Sequence, residues 1–254
     1  MIRVRRWLSV CLALMLPAVA GCGTGRTGGS TAVTVYAAAS LQQAFTTLGE
    51  LFEAEHPDVT VRFTFAGSAD LATQLLGGAD ADVFAAADEA TMERVAAAGL
   101  LSGPPVIFAA NTLTVVTAPG NPHGLTGFAD LARAGPAVVT CAPQVPCGAA
   151  TQRLEQLTGV DLAPVSEENS VSDVLHKVTA GQADAGVVYR TDARRAGDTV
   201  HTVEVPAAAA VPNRYPVAVP ADAARPDLGQ RFIDLITGAA GRDVLAQNGF
   251  SEPR

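Results

Sequence analysis

The sequence is poor in basic residues and in charge generally. Its 254 residues include 17 Lys and Arg against 25 Asp and Glu, which gives a formal net charge of −8. Nucleic-acid-binding surfaces need an excess of positive charge to neutralise phosphates, so this balance argues against that class of partner. It also means that any anion site has to depend on short-range N–H and O–H dipoles, because the surface as a whole repels anions.

The N-terminal apolar run is too short to cross a membrane. It extends from Trp7 to Ala20 behind a head with three arginines, whereas a bilayer span needs about 20 apolar residues. A basic head, a short apolar middle and a small-residue end predict a signal peptide over residues 1–21. The run ends in Val-Ala-Gly-Cys, which resembles the bacterial lipobox and predicts cleavage before a lipid-carrying Cys22. A simple secretory peptide that is cleaved elsewhere is the alternative.

Residues 22–31 are predicted to form a lipid-anchored flexible linker, because they are rich in Gly, Thr and Ser. The remainder of the chain is then expected to be exported and tethered to the outer face of the cell membrane, in a periplasmic or extracytoplasmic position.

Cysteine is scarce, and the four residues present divide by position. Cys11 leaves with the signal peptide and Cys22 carries lipid, so Cys141 and Cys147 remain in a chain bound for an oxidising compartment. A disulfide between them is the favoured interpretation. The alternative, a pair of metal-ligating thiolates, lacks any His at ligand spacing.

Short apolar runs alternate with helical stretches from residue 32 onward. This alternation predicts βαβ units with parallel sheets, and hence an α/β fold. A longer apolar run over residues 106–118 interrupts the series, and the second series that follows it indicates a second lobe. The predicted strands are residues 33–38, 59–66, 82–87, 137–142, 185–189, 200–205 and 215–219, and the predicted helices are residues 41–55, 69–77, 89–98, 127–134, 149–158, 171–180, 230–237 and 241–247.

Small polar residues lie where predicted strands give way to helices. Ser40 and Ser68 each follow a strand that ends in Ala or Gly, which lets a ligand approach the backbone closely. The first N–H groups of a helix have no partner within it and carry partial positive charge, so several helix starts around one point can hold an anion without Lys or Arg. Further starts at Gly148 and Ser170, with Tyr189 at a strand end, predict a cleft that collects all five. Taken singly, each serine also fits an ordinary helix N-cap.

A secreted serine hydrolase is the alternative from a different functional class. Neither Ser40 nor Ser68 lies in a Gly-x-Ser-x-Gly segment, and no His stands in a partner motif. We therefore expect a binding protein rather than an enzyme.

Seven segments of the chain carry one family pattern. They are Val35-Tyr-Ala-Ala-Ala-Ser-Leu41, Phe65-Ala-Gly-Ser68, Ala81-Asp-Val-Phe-Ala-Ala-Ala-Asp88, Asn111-Thr-Leu-Thr-Val-Val116, Val145-Pro-Cys-Gly148, Asn169-Ser-Val171 and Gly186-Val-Val-Tyr-Arg-Thr-Asp192. Together they resemble the molybdate-binding ModA family of ABC-transporter solute-binding proteins. The resemblance spans residues 32–250.

The resemblance implies a two-lobed, type II periplasmic-binding-protein fold. Each lobe would be a mostly parallel sheet flanked by helices, and the chain would cross between the lobes near Thr112 and again near Arg214. Lobe I would then comprise residues 32–112 and 215–254, and lobe II residues 113–214.

The resemblance also implies a ligand and the residues that bind it. The positions that match the family's oxyanion ligands are Ser40, Ser68, Cys147, Val171 and Tyr189, with no side chain on the metal atom itself. The residue at Cys147 is often Ala in the family and offers only its backbone N–H, which Cys also supplies. The implied function is that of a monomer without cofactor that captures molybdate and tungstate and passes them to an ABC permease and its ATPase.

The protonation state of the ligand supports this implication. Molybdate and tungstate carry no proton at neutral pH, so a cleft that offers only donors suits them, whereas hydrogen phosphate gains from an acceptor. Sulfate is also an unprotonated tetrahedral dianion and stays the alternative ligand.

Overall fold

The structure, a computed structural model, describes residues 31–133 and 135–253. The predicted signal peptide, the lipid-carrying Cys22 and the linker up to residue 30 lie outside the described residues.

Ten strands and eight α-helices make up the described part of the chain. The strands are β1 (Thr31–Ala38), β2 (Val59–Ala66), β3 (Val83–Ala85), β4 (Val106–Asn111), β5 (Leu113–Thr117), β6 (Val138–Cys141), β7 (Ser166–Glu168), β8 (Ala185–Tyr189), β9 (His201–Val203) and β10 (Asn213–Ala218). The helices are α1 (Gln42–Glu55), α2 (Ser68–Leu76), α3 (Glu89–Ala97), α4 (Pro146–Thr158), α5 (Val171–Thr179), α6 (Arg190–Ala196), α7 (Pro226–Thr237) and α8 (Ala239–Gln247). Short 3-10 turns cover Ala39–Leu41, Phe128–Ala132, Gly197–Thr199 and Pro206–Ala210.

The strands form two five-stranded sheets, each with its own core. The first has the order β2-β1-β3-β10-β4 and the second the order β7-β6-β8-β5-β9. Helices α1, α2, α3 and α7 pack on the first sheet, with α8 against α1 and α7, and α4, α5 and α6 pack on the second sheet. We call these two units the first lobe and the second lobe. This arrangement confirms the predicted α/β fold with two lobes.

The core of the first lobe shows why its helices pack where they do. Phe45 and Phe52 are seven residues apart, so they lie on the same face of α1. Both pack edge-on against Phe232 of α7, with ring centroids 6.0 and 5.3 Å apart. All three rings are buried, which joins the two helices into one apolar layer on the sheet.

The sheets are more mixed than the mostly parallel ones that the sequence predicted. In the first sheet β1 pairs in parallel with β2 and β3, but β10 runs antiparallel to β3 and β4. In the second sheet β6 is parallel to β7 and β8, but β5 is antiparallel to β8 and β9. The reason is that β5 and β10 enter their sheets directly from the other lobe, without the crossover helix that a parallel neighbour requires.

The long apolar run at residues 106–118 is where the chain changes lobe. The structure divides it into β4 and β5, with Thr112 between them, and the two strands lie in different sheets. The chain returns between β9 and β10. At that point Asn213 of β10 lies directly opposite Asn111 of β4. The two crossings therefore run side by side.

Some predicted elements differ from those observed. The helix predicted at residues 127–134 is only the 3-10 turn Phe128–Ala132, because the Asp130 carboxylate accepts from the N–H and hydroxyl of Thr126 at 2.6 and 2.8 Å and favours a turn over a helix. Strand β7 and helix α6 are absent from the prediction. The first is a polar edge strand, and the second follows β8 directly without a capping side chain.

Within residues 31–133 and 135–253, no helix is both long enough and apolar enough to span a membrane.

Candidate functional site

A small cavity lies where the two lobes face each other. Its volume is about 20 Å³, far below the roughly 300–1,000 Å³ of pockets for drug-sized organic ligands. All five predicted ligand-binding residues line it: Ser40, Ser68, Cys147, Val171 and Tyr189. The structure thus brings together the five residues that the resemblance implied, whereas Gly148, whose helix start was also predicted to face the cleft, does not line the cavity.

The first lobe contributes two serines whose hydroxyls are not used as helix caps. Ser40 lies in the 3-10 turn after β1, and Ser68 is the first residue of α2, with Gly67 as the N-cap. Neither start has a side-chain cap hydrogen bond. The N-cap alternative is therefore wrong for both serines. Both residues are buried, with 9% of Ser40 and 2% of Ser68 exposed.

The second lobe presents two helix starts and a tyrosine. Val171 begins α5 after the N-cap Ser170, and Cys147 is the second residue of α4. Tyr189 ends β8 and is fully buried. Because the first N–H groups of each helix lack partners within the helix, α4 and α5 direct partial positive charge toward the cavity.

Cys141 and Cys147 form a disulfide, with their sulfur atoms 2.02 Å apart. The bond joins the end of β6 to the first turn of α4, where Gly148 follows. A Cβ on Gly148 would lie 1.9 Å from the carbonyl oxygen of Ala142. The disulfide and this close backbone approach together fix the position of the α4 N-terminus. Because both sulfur atoms are used in this bond, they are not thiolates available to a metal. The described residues contain no group of three or more His, Cys, Asp and Glu that could hold a metal ion.

The wall of the cavity carries no ionisable acid or base apart from Tyr189, whose hydroxyl stays protonated. The lining residues are Ala38, Ala39, Ser40, Ala66, Gly67, Ser68, Ala87, Pro146, Cys147, Asn169, Ser170, Val171 and Tyr189. Burial above all raises the pKa of Tyr189 well above its ordinary value, and the proximity of Tyr215 and Asp88 raises it further. The cavity therefore offers neutral hydroxyl and amide donors.

The hydroxyls of Ser40, Ser68 and Tyr189 each touch a second protein group, while the fourth lining hydroxyl, that of Ser170, caps α5 and donates to Asp173 Oδ2. Ser40 Oγ lies 3.0 Å from Tyr215 Oη. Ser68 Oγ accepts a hydrogen bond from the backbone N–H of Ala87 at 3.0 Å. Tyr189 Oη lies 2.5 Å from Asn213 Nδ2. None of these partners is a histidine, so the serines lack the base that a hydrolase nucleophile requires.

The lobes touch closely beside the cavity. A Cβ on Gly67 of the first lobe would lie 2.3 Å from the carbonyl oxygen of Asn169 in the second. Ala69 of α2 packs within the apolar core of the second lobe. The structure is therefore closed around the cavity, and the closure depends on a glycine.

A buried carboxylate lies beside this cleft in α6. The side chain of Asp192 is 1% exposed, and its Oδ1 pairs with Arg195 at 3.2 Å, while its Oδ2 has no hydrogen-bond partner. Burial raises the pKa of Asp192 to about 6, against the opposing effect of Arg195.

Comparison with known proteins identifies the family. A family model described as bacterial extracellular solute-binding protein matches residues 33–251. The chain belongs to this family. The family is one of solute-binding proteins, which agrees with the prediction of a binding protein rather than an enzyme.

One sequence relative and two solved structures are also similar to this chain. The chain is 50% identical over 260 residues to the molybdate-binding protein ModA of Mycobacterium tuberculosis strain H37Rv, covering 98% of this chain and 100% of that protein. This confirms the resemblance to the ModA family. Two solved structures share the fold: the periplasmic molybdate-binding protein of Azotobacter vinelandii (TM-score 0.74, 21% identity, 87% of this chain and 100% of that one) and the sulfate-binding protein SubI of M. tuberculosis H37Rv (TM-score 0.72, 23% identity, 87% of each chain).

The sequence did not predict Asn213 and Tyr215, which contact the hydroxyls of Tyr189 and Ser40. Asn213 and Tyr215 are separated from Tyr189 and Ser40 by 24 and 175 residues. One local feature of the sequence could have indicated them: an Asn and a Tyr lie at the start of an apolar strand, where the chain crosses between the lobes for the second time.

Replacing Gly67 by Ala tests whether closure depends on this contact. The backbone of Gly67 has φ −56° and ψ 134°, which alanine adopts without strain. We expect the free energy of unfolding of the ligand-free protein to change by less than about 0.5 kcal/mol, because the clash arises only between lobes. The affinity for the predicted oxyanion should fall at least tenfold in a calorimetric titration. Gly103→Ala is the control, since a Cβ there meets nothing within 4 Å; equal affinities in the two variants would refute the role of the contact.

Replacing Asp192 by Asn tests the buried carboxylate. Because its folded-state pKa of about 6 lies above the unfolded value near 3.8, the folded protein binds more protons between these pH values, and its stability falls as pH rises through them. The variant lacks this loss. As the pH rises from 4 to 7, we therefore expect the unfolding free energy of Asp192→Asn to increase by about 3 kcal/mol relative to that of the parent, measured by urea denaturation. Asp243→Asn, at an exposed position of α8, is the control. A difference from the parent that does not vary with pH would contradict the assignment.

Proposed function

We propose that this protein captures molybdate, and tungstate with it, in the cleft between its lobes and delivers the ion to an ABC importer. The observation that carries the proposal is the convergence of Ser40, Ser68, Cys147, Val171 and Tyr189 on one small cavity that offers donors and no charge. The name of the M. tuberculosis relative at 50% identity supports the same ligand.

The donors of the cavity match the chemistry of an unprotonated oxyanion. Every oxygen of molybdate accepts hydrogen bonds, and the cavity supplies hydroxyls and helix-start N–H groups. Hydrogen phosphate would need an acceptor for its proton, and the lining contains no carboxylate. Charge-assisted hydrogen bonds contribute roughly 1.5–3 kcal/mol each, so a handful of them offsets an association cost of about 4–15 kcal/mol.

Sulfate is the second candidate. It has the same charge and shape as molybdate and also lacks a proton, and the sulfate-binding protein SubI shares the fold. The two ions differ in size, so the dimensions of the closed cavity decide between them.

The route of the ion follows from the predicted N-terminus. We propose that the protein is exported, that lipid on Cys22 holds it at the outer face of the cell membrane, and that it acts as a monomer. A lipid anchor and a flexible linker keep the binding lobes near the permease and its ATPase while leaving them free to reorient.

Removing both serine hydroxyls tests the site. We expect Ser40→Ala combined with Ser68→Ala to raise the Kd for molybdate by at least about a hundredfold, because two charge-assisted hydrogen bonds are lost. Calorimetric titration with molybdate, tungstate, sulfate and phosphate measures this and ranks the ligands. The matched control is Ser102→Ala with Ser251→Ala, whose hydroxyls donate to carbonyl oxygens elsewhere. A double cleft variant that binds within about threefold of the parent would refute the site, and a parent that binds only sulfate would refute the ligand.

Replacing Cys22 by Ser tests the anchor. Without the thiol no lipid is added, so the protein should move from the membrane fraction to the soluble exported fraction, while its molybdate affinity stays unchanged. Fractionation of cells that express parent and variant measures this, with Cys141→Ser as a control that leaves the lipidation site intact. A variant that stays in the membrane fraction would contradict lipidation at Cys22.

A further inference from the structure

Two buried asparagines lie at the crossings between the lobes. Asn111 and Asn213 are each 2% exposed and face each other across β4 and β10. A buried amide is costly unless its donors and acceptor are used. The contacts of each amide therefore indicate what it does.

The amide of Asn213 is held in one orientation. Its Oδ1 accepts a hydrogen bond from Arg153 Nη2 at 2.5 Å, and an arginine can only donate. The Nδ2 group therefore faces the other way, toward the carbonyl oxygens of Ala87 and Pro146 at 3.1 and 3.2 Å and toward Tyr189 Oη at 2.5 Å.

This orientation decides what the Tyr189 hydroxyl does with its proton. An amide nitrogen has no lone pair to offer, so Tyr189 Oη can only accept from Asn213. The phenol stays protonated because burial raises its pKa. Its proton is thus left for the cavity that Tyr189 lines.

Ser68 shows the same arrangement with another partner. Ser68 Oγ accepts from the N–H of Ala87, which leaves its proton for the cavity. Ser40 Oγ lies 3.0 Å from Tyr215 Oη, and either hydroxyl can donate in that contact. Ser68 and Tyr189 are therefore the lining hydroxyls that have an N–H donor behind them and leave their protons for the cavity.

We propose that Asn213, oriented by Arg153, is a positioning residue that makes Tyr189 an obligatory donor and thereby selects oxyanions without a proton. The proposal rests on the proposed function, since it concerns the same ligand. Asn213 contacts Ala87 of the first lobe and Pro146 and Tyr189 of the second, so both lobes contribute to the orientation of the donor.

The test is a double-mutant cycle between Asn213→Asp and Tyr189→Phe. Aspartate has the shape of asparagine and keeps the contact with Arg153, but it replaces the Nδ2 donor with an acceptor. Tyr189 Oη, still protonated, then donates its hydrogen bond to the carboxylate and turns a lone pair toward the ligand. We expect Tyr189→Phe to raise the Kd at least tenfold in the parent, and by less than threefold, or not at all, in the Asn213→Asp background.

A purely structural role or a general effect of the added charge predicts a different result. In either case the fold-change caused by Tyr189→Phe would be the same in both backgrounds, and that result would overturn the proposal. Ser40→Ala is the matched control, because Ser40 contacts Tyr215, whereas the hydrogen bonds of Asn213 go to other groups; its fold-change should be equal in both backgrounds. If Asn213→Asp does not fold, Asn213→Ala replaces it, since Tyr189 is then free to turn its proton to the carbonyls of Ala87 and Pro146.

The ligand used separates this proposal from the proposed function. The parent is first titrated with molybdate and with sulfate, and the cycle is run with the ion that binds. A parent that binds sulfate alone refutes the proposed ligand, while the cycle still decides the role of Asn213. A parent that binds neither ion overturns both.

Discussion

The structure depends on neutral hydrogen-bond donors that are fixed in place around a cavity without a cation. A flexible hydroxyl can turn either its oxygen or its proton toward a ligand. The N–H groups at a helix start bind an anion only if the helix is held within hydrogen-bond distance of it. The protein solves both problems with neighbouring backbone and amide groups: Ala87 and Asn213 stand behind hydroxyls, and the disulfide at Cys147 fixes a helix start. Preorganised dipoles of this kind act without reorganisation when the ligand arrives.

The same constraint accounts for where small residues occur. Gly67 and Gly148 each stand where a Cβ would collide with a carbonyl oxygen, the first across the lobes and the second within the second lobe. The alanines at the ends of β1 and β2 keep the wall close to the backbone. Small side chains at these positions bring N–H groups to the cavity, and a cavity of about 20 Å³ is the result.

The sequence predicted which residues come together at the cavity better than it predicted the directions of the strands around it. Ser40, Ser68 and Val171 lie at junctions between a strand and a helix, and such junctions are visible in a few consecutive residues. The contacts of Tyr215 and Asn213 depend on how the chain crosses between lobes, which no local pattern encodes. For the same reason the mixed character of the sheets was missed: the direction in which β5 and β10 enter a sheet is decided by the crossing and not by their apolar pattern.

The pairing of Asn111 with Asn213 has a mechanical consequence. Because both connections pass through adjacent, hydrogen-bonded strands of one sheet, they join the lobes side by side. Asn111 also donates to Thr191 and Asn213 to the carbonyl oxygen of Pro146, and both of these partners belong to the second lobe. A movement of one lobe relative to the other therefore has to bend both strands together or break these hydrogen bonds.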